Sequence, residues 1–440
     1  MRAQQARLPG RWLLESATEL NAGERIYASK IDRAPSRVVS AIPSFEGALL
    51  GSESPADLHE FDLRRIRLAP QPLNHYLARE IQSLGRGLIQ RRERWRPLLT
   101  RWDGLIAEGA AAAVGVPHSA GALQDWATCP YRYFLGRVLR IEERDDARDE
   151  LQISALDKGS LMHDILDQFF RQTESHPSPG ERWPRSERQR LETIAIEMLD
   201  EARQRGLTGR DLLWRRDRQE ILNDLETLLA RDDEHRAREH TRQVASELVF
   251  GRLPDSQAEV ELVLAEGGSL QLRGMIDRVD QSTTDDRFIV IDYKTGREFP
   301  TAGELRQDPM VGGRVLQLPV YALAARQIYD LDPATTVSSA YWFITNRAGF
   351  KYNRVDWDEE HTQRFEQAVN LVVKNIRLGR FPANPGADDH RERTSNCRFC
   401  SFDPVCPVDR SARWKQSRQD PRLADYMAFT GEASEETDGA

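Results

Sequence analysis

The 440-residue sequence carries a formal net charge of −8, with 39% hydrophobic and 30% charged residues. Its length predicts two or three domains with a sizeable buried core, and its polar balance a helix-rich globular protein. No apolar run approaches the roughly 18 residues of a membrane span, and the N-terminus lacks a signal-peptide core, so the reading is cytoplasmic with no membrane contact. The acidic balance speaks against a dedicated nucleic-acid coat, but acids gathered to hold divalent cations carry the same sign.

Residues 1–118 read as an N-terminal accessory region. Its first part is loop-rich, with Pro9, Pro35, Pro43, Pro55, Pro70 and Pro72, and helical periodicity runs from Asn74 to Ala113. The basic stretch Arg91-Arg92-Glu93-Arg94-Trp95-Arg96 fits either a solvated helix face or a phosphate-tracking surface. Ser119 is placed to cap a short helix toward Thr128, with Leu123 and Trp126 in the core. Tyr131 to Ile141 should pack down before the acidic stretch 142–150. Leu161, Ile165 and Phe169 recur at helical spacing in a helix from Gly159 to Arg171, with His163 at the edge of its apolar face.

A polar section from Gln172 to about Arg242 holds two further helical patterns, at Leu191 to Leu199 and Leu212 to Leu229. Alternating segments Ala245 to Phe250, Ala258 to Leu264, Leu270 to Val279 and Phe288 to Tyr293 then predict an antiparallel meander. Leu316 to Ile328 reads as a helix with Pro319 in its first turn, Ser338 to Thr345 as a strand, and Glu359 to Leu378 as a long amphipathic helix. Residues 410–440 read as a tail, disordered over the acidic, small-residue stretch from Gly431.

Two adjoining strands carry the chemistry: Gly-Met-Ile-Asp-Arg-Val-Asp at Gly274 to Asp280, and Ile-Asp-Tyr-Lys-Thr-Gly at Ile291 to Gly296. Side chains at i and i+2 share a face, so Asp292 and Lys294 point one way and Tyr293 the other, while Asp277 arrives from the neighbouring strand. Two carboxylates and an ammonium suit metal-assisted phosphodiester hydrolysis; the bland reading is a pair of hairpin turn residues. Gly274 permits a close approach near Asp277, and Asp292 ends a strand apolar enough to make an unpaired carboxylate costly. His163 could ligate Mn2+ or Mg2+ beside carboxylates, or be a satisfied core histidine. Gln317 and Tyr321, at i and i+4, share a helix face and could position a water or a phosphate, or be a cap and a core tyrosine.

In order, Gly-x-x-x-His (Gly159 to His163), Gly-x-x-Asp (Gly274 to Asp277), Asp-Tyr-Lys (Asp292 to Lys294) and Gln-x-x-x-Tyr (Gln317 to Tyr321) resemble the PD-(D/E)XK nuclease superfamily, above all RecB- and AddB-type nuclease domains. The resemblance covers about Ser119 to Asp409. It implies an α/β restriction-endonuclease-like mixed sheet flanked by helices, here with a helical insertion, acting on DNA ends or single strands as an exonuclease. It further implies that His163, Asp277, Asp292 and the Tyr293 carbonyl hold Mg2+ or Mn2+. Lys294 would orient the attacking water and stabilise developing phosphorane charge, with Gln317 and Tyr321 beside it. The motif has Asp292 where many relatives carry Glu; both can ligate.

Cys397, Cys400 and Cys406 form C-x2-C-x5-C, and Cys129 stands far upstream. Clustering without an oxidising compartment favours a metal or cluster site over disulfides, and spacing alone leaves zinc and an iron–sulfur cluster open. The resemblance favours a [4Fe–4S] staple that clamps both ends of the nuclease region. No G-x-x-x-x-G-K-[ST] loop is present, so this chain should not itself hydrolyse ATP, and an ATP-dependent helicase is an expected partner alongside DNA. Arg-Leu-Pro-Gly-Arg-Trp-Leu-Leu-Glu near Arg7 weakly resembles the tail of a helicase-like subunit. Lys-Thr-Gly at Lys294 lacks the Ser-x-x-Lys that a serine β-lactamase would need. A silent nuclease-fold scaffold binding DNA or a helicase is the alternative reading.

Overall fold

A computed structural model describes residues 9–28, 31, 35, 38, 55–69, 71–94, 96–109, 117–142, 151–173, 176–251, 256, 258–387 and 394–431. They divide into two compact units, Met1–Arg96 with Asp403–Cys406, and Pro97–Phe402 with Pro407–Ala440.

The smaller unit holds α1 (Arg11–Leu20), α2 (Leu58–Leu68), α3 (Tyr76–Glu80) and α4 (Gln82–Arg94). The first two fall where the sequence reads as loop. Pro9 and Pro55 precede these helices rather than interrupt them, which a proline tolerates. A reciprocal cap starts α2: Asp57 accepts from the Glu60 N–H at 2.8 Å, and the Glu60 carboxylate accepts from the Ala56 N–H at 2.8 Å. The periodicity from Asn74 gives helix as far as Arg94 and turns beyond Arg96; Ala110 to Ala113 lie outside the described residues. So do Trp95, the side chains of Arg91 and Arg92, the acidic stretch 143–150 and residues 432–440.

The larger unit opens with β1 (His118–Ser119), α5 (Ala120–Thr128) and α6 (Pro130–Tyr133). Ser119 caps α5 by accepting from the Ala122 N–H, and Leu123 and Trp126 are buried as expected. Tyr133 and Leu135 pack down, although Leu139 and Ile141 stay exposed. Next come α7 (Ala155–Gln172), which carries His163, then α8 (Arg185–Gln204) and α9 (Asp211–Glu239). Strands β2 (Thr241–Phe250), β3 (Val260–Val263), β4 (Ser269–Ser282) and β5 (Arg287–Lys294) follow. The rest is α10 (Ala302–Gln307), α11 (Gln317–Ile328), β6 (Thr336–Phe343), β7 (Tyr352–Asp356), α12 (Glu359–Arg377), α13 (Arg410–Ser417) and α14 (Ala424–Thr430). Residues 410–430 are integral to the unit: Trp414 and Tyr426 are buried, and Arg413 pairs with Asp103 at 2.5 Å.

Among the described residues the sheet has seven strands in the order β1-β4-β5-β6-β7, with β2 and β3 also on β4. It is mixed, not the simple meander expected. The fourteen-residue β4 is its hub, pairing antiparallel with β2, β3 and β5 and parallel with β1. β2 and β3 thus each seek β4 rather than one another, and β5 pairs in parallel with β6 across the connection through α10 and α11. Non-local pairing of this kind leaves no mark on local alternation.

Helices cover the sheet on both sides. One core packs α5, α11, α12 and α14 around Val279, Val290 and Phe343; the other packs α7, α8 and α9 onto Ile289, Ile291, Tyr293 and Trp342. Beneath β4 lies a buried ionic network. Arg278 reaches Asp232 on α9 at 2.6 Å and Asp280 at 2.6 Å, and Arg236 reaches Asp232 at 2.8 Å. Trp183 Nε1 donates to Asp232 at 2.6 Å, and the Arg278 guanidinium lies 5.9 Å from both the Phe170 and Trp342 rings. Burial alone would push both carboxyls up; Arg278, joined by Arg236 at Asp232 and by His235 at Asp280, outweighs it and holds them below the usual range.

Candidate metal centre

Register brings the acids together. Arg278 pairs with Ile291 in the antiparallel β4–β5 ladder, and one step further sets Asp277 opposite Asp292. On the other edge of β4, Ser246 pairs with Arg278 and Leu248 with Ile276, which sets Glu247 opposite Asp277. Directly opposed residues share a face, so β2, β4 and β5 present three carboxylates side by side. Glu247 adopts φ 45°, a left-handed conformation that costs a non-glycine residue about 1 kcal/mol or more and gathers at functional sites.

α7 adds the imidazole. His163 Nδ1 lies 3.5 Å from Asp277 Oδ1, and ligand atoms of His163, Glu247 and Asp277 lie within 4.8 Å of one another. Gly159 makes this approach possible, since a Cβ there would stand 3.2 Å from Thr295 Oγ1 at the end of β5. The other Asp277 oxygen accepts from the Tyr293 N–H at 2.6 Å, which aims Oδ1 at His163. Gly274 has a comparable function: a Cβ would meet the Phe250 ring at 2.8 Å and Tyr321 at 3.3 Å.

Asp292 stands outside the 4.8 Å group among the described residues, and Lys294 Nζ lies 2.5 Å from its Oδ2. Lys294 also donates to Gln317 Oε1 at 2.9 Å, which ties β5 to the first turn of α11. Gln317 Nε2 is 3.5 Å from the Tyr321 hydroxyl. The sequence motifs therefore come together as expected: His163 with Asp277, Asp292 with Lys294, and Gln317 and Tyr321 beside them. Tyr293 turns its ring into the α7–α9 core.

Three residues without a motif complete the site. Glu247 is a lone acid in Ser-Glu-Leu-Val-Phe, a pattern that reads as a solvent-facing strand position. Gln124 on α5 accepts from the Leu316 and Gln317 N–H groups at 2.8 and 3.0 Å, capping α11 where the motif glutamine begins. Tyr341 on β6 donates to Gln317 Oε1 at 3.2 Å.

The electrostatics are those of a centre short of positive charge. Burial, then repulsion from Asp277, pushes Glu247 up to about 8. Burial raises Asp292 to about 6 despite Lys294, with Asp277 adding to the rise. Burial opposes protonation of His163, yet Asp277, Asp292 and Glu247 together lift it to about 9. Carboxylates forced to share protons in this way fit a divalent cation, which would relieve their repulsion, and one imidazole with carboxylate oxygens suits Mn2+ or Mg2+.

The cysteines lie elsewhere. Cys129 joins α5 to α6 and its carbonyl accepts from the Arg132 N–H at 2.8 Å. The Asn396 side chain donates to the Thr128 carbonyl at 3.0 Å, so the residues before Cys129 and Cys397 are held together. The Cys400 N–H reaches the Cys397 carbonyl at 3.2 Å. Cys406 belongs to the short segment grouped with the smaller unit. All four side chains are half-buried, and thiolates brought together by chain-distant segments fit a zinc ion or an iron–sulfur cluster.

A family model of the PD-(D/E)XK nuclease superfamily matches residues 117–407. The chain belongs to this superfamily. The PD-(D/E)XK region also aligns with curated relatives, each of them a subunit of an ATP-dependent helicase/deoxyribonuclease. Identity is 33% over 236 residues with that of Symbiobacterium thermophilum, covering 51% of this chain and 19% of the relative. It is 26% over 274 residues with that of Desulforamulus reducens, covering 61% and 22%, and 28% over 215 residues with that of Clostridium tetani, covering 48% and 18%. The chain therefore spans about a fifth of these relatives' length. No helix among the described residues is long and apolar enough to cross a membrane.

Proposed function

We propose that this PD-(D/E)XK protein is a cytoplasmic, divalent-metal-dependent deoxyribonuclease of repair or recombination. It hydrolyses phosphodiester bonds from DNA ends or in single strands, as an exonuclease that leaves 5′-phosphates. The observation that carries the reading is the convergence of His163, Glu247 and Asp277 ligand atoms within 4.8 Å beside the Asp292–Lys294 pair. His163, Asp277, Asp292 and the Tyr293 carbonyl hold Mg2+ or Mn2+, and Glu247 joins them. A bound cation there supplies Lewis-acid charge to the scissile phosphate and makes water a better nucleophile at neutral pH. Lys294 orients the attacking water through one N–H and offsets the negative charge that grows on the phosphoryl oxygens. Gln317 and Tyr321 fix the lysine from the α11 side.

The four cysteines hold a [4Fe–4S] cluster that staples the start of the nuclease region to its end; the Asn396–Thr128 bond supports this for Cys129, Cys397 and Cys400. Residues 1–118 serve as an accessory region, 119–409 as the nuclease domain and 410–440 as a C-terminal extension. The relatives' names support an ATP-dependent helicase as partner.

The test is purified protein with end-labelled single- and double-stranded DNA, in Mg2+ or Mn2+ and in EDTA. Metal-dependent cutting that disappears in Asp292→Ala and Lys294→Ala bears the reading out; binding without cutting under any metal overturns it. Visible absorption with iron and zinc analysis distinguishes the cluster from zinc.

A further inference from the structure

Lys294 is held from more sides than its motif explains. An ammonium has three N–H donors and no acceptor. One faces Asp292 Oδ2 at 2.5 Å and one Gln317 Oε1 at 2.9 Å. A third neighbour is the ring of Tyr341, whose centroid lies 4.8 Å from Nζ. That is cation–π distance, and the ring is nearly dry, at 3% exposed.

The Tyr341 hydroxyl then donates to the same Gln317 Oε1 at 3.2 Å. Two donors on one oxygen fix the amide: an ammonium cannot accept, so the oxygen must face Lys294 and the NH2 must face Tyr321. Tyr341 thereby acts on the lysine twice, directly through its ring and indirectly by locking its glutamine. Its place on β6 follows from register, since Tyr341 pairs with Asp292 in the parallel β5–β6 ladder. With Asp292, Gln317 and the ring occupying three directions, the remaining N–H is left for the open side, where the lysine side chain keeps 31% of its exposure.

We propose that Tyr341 is a positioning residue for Lys294, holding the ammonium so that one N–H is presented to the substrate phosphate or attacking water. The proposal rests on the nuclease reading for its kinetic consequence but not for the geometry it claims, and its test separates the two. Tyr341→Phe keeps the ring and loses the hydroxyl; Tyr341→Leu loses both. The expected kcat on end-labelled DNA with Mn2+ falls about tenfold in Tyr341→Phe, as for one lost hydrogen bond. In Tyr341→Leu it falls about a hundredfold, with the cation–π contact gone as well. KM stays within twofold in both, because the tyrosine acts behind the lysine rather than on DNA.

The second arm needs no activity. The sequence has six lysines, so protein labelled with 13C at lysine Cε gives few enough signals to assign Lys294 by its loss in Lys294→Arg. A methylene held near an aromatic face is shifted upfield by ring current. The Lys294 signal should be upfield in the wild type and in Tyr341→Phe, and should move to the position of an exposed lysine in Tyr341→Leu. A Lys294 signal with no upfield shift in the wild type overturns the proposal, as does a kcat within twofold of wild type in folded Tyr341→Leu. A wild type that cuts no DNA but shows the shift defeats the nuclease reading and leaves the placement of Lys294 standing.

Discussion

Asp277 and Asp280 are three residues apart on β4 and live in opposite electrostatic worlds. Asp280 is buried among cations: Arg278 holds it at 2.6 Å, His235 lies 3.5 Å away, and its carboxyl is driven below the usual range. Asp277 faces Glu247, Asp292 and the lone imidazole of His163, and each of those neighbours is pushed upward. Below the strand, the buried charges on α9 and β4 are paired within the protein. Above it, three carboxylates confront one imidazole and one lysine. A fold tolerates the second arrangement where a cation from solution completes it, so the imbalance separates a working site from a structural ion network, whereas burial alone does not.

The largest expected effect lies on the upper side. Lys294→Ala should lower kcat about a thousandfold, or about 4 kcal/mol of barrier, with little change in melting temperature. Removing a cation from the lower network should do the reverse. Arg278→Met strands Asp232 and Asp280 without their shared partner and should destabilise the fold by about 3 kcal/mol in urea titration. If Arg278→Met costs less than about 1 kcal/mol, the contrast between the two sides of β4 loses its basis.

The lower network also sets a pH signature. Asp232 and Asp280 have folded values below their unfolded ones, so the unfolded chain binds more protons in acid. Their contribution is complete above about pH 4, the unfolded carboxylate value, and is lost as pH falls through the folded values. Wild-type stability should therefore drop steeply below about pH 4. In Arg278→Met the burial penalty on these carboxyls is no longer outweighed, so stability should rise as pH falls from 8 toward 5. Urea midpoints across pH 3 to 8 distinguish the two slopes, and parallel curves would sink the argument.

The two sides of β4 were unequally legible in the sequence. Asp277, Asp292, Lys294, Gln317 and Tyr321 sit in short motifs whose spacing survives translation into strand and helix geometry, and His163 follows the glycine that lets α7 approach β5. Glu247 left no such trace, because its place depends on β2 pairing with β4 rather than with the adjacent β3, and on a backbone conformation no local pattern announces. Gln124 and Tyr341 reach Gln317 from α5 and β6, so only tertiary register reveals them. The Asp232–Arg278–Asp280 network joins residues 46 positions apart and reads in sequence as scattered surface charge on a polar helix. The helices at Arg11 and Leu58 were obscured by flanking prolines that turn out to mark their starts.

Glu247 offers the finest test of the comparison, because it is the member of the upper cluster whose removal the two views judge oppositely. If the acids are ordinary structural groups, Glu247→Gln should be neutral or destabilising. If the cluster is short of positive charge, the substitution removes one of three crowded negative charges and keeps the shape. The metal-free variant should then be more stable than the wild type by about 1 kcal/mol, discounted for the partial exposure of the site. The wild type should gain more from Mn2+ than the variant does, since a ligand that binds only the folded state stabilises it in proportion to its affinity. Melting curves of both proteins in EDTA and in millimolar Mn2+ give the four values required. A variant less stable than wild type in EDTA, or an equal rise with Mn2+, would mean that Glu247 belongs with Asp280 among the compensated charges rather than with Asp277.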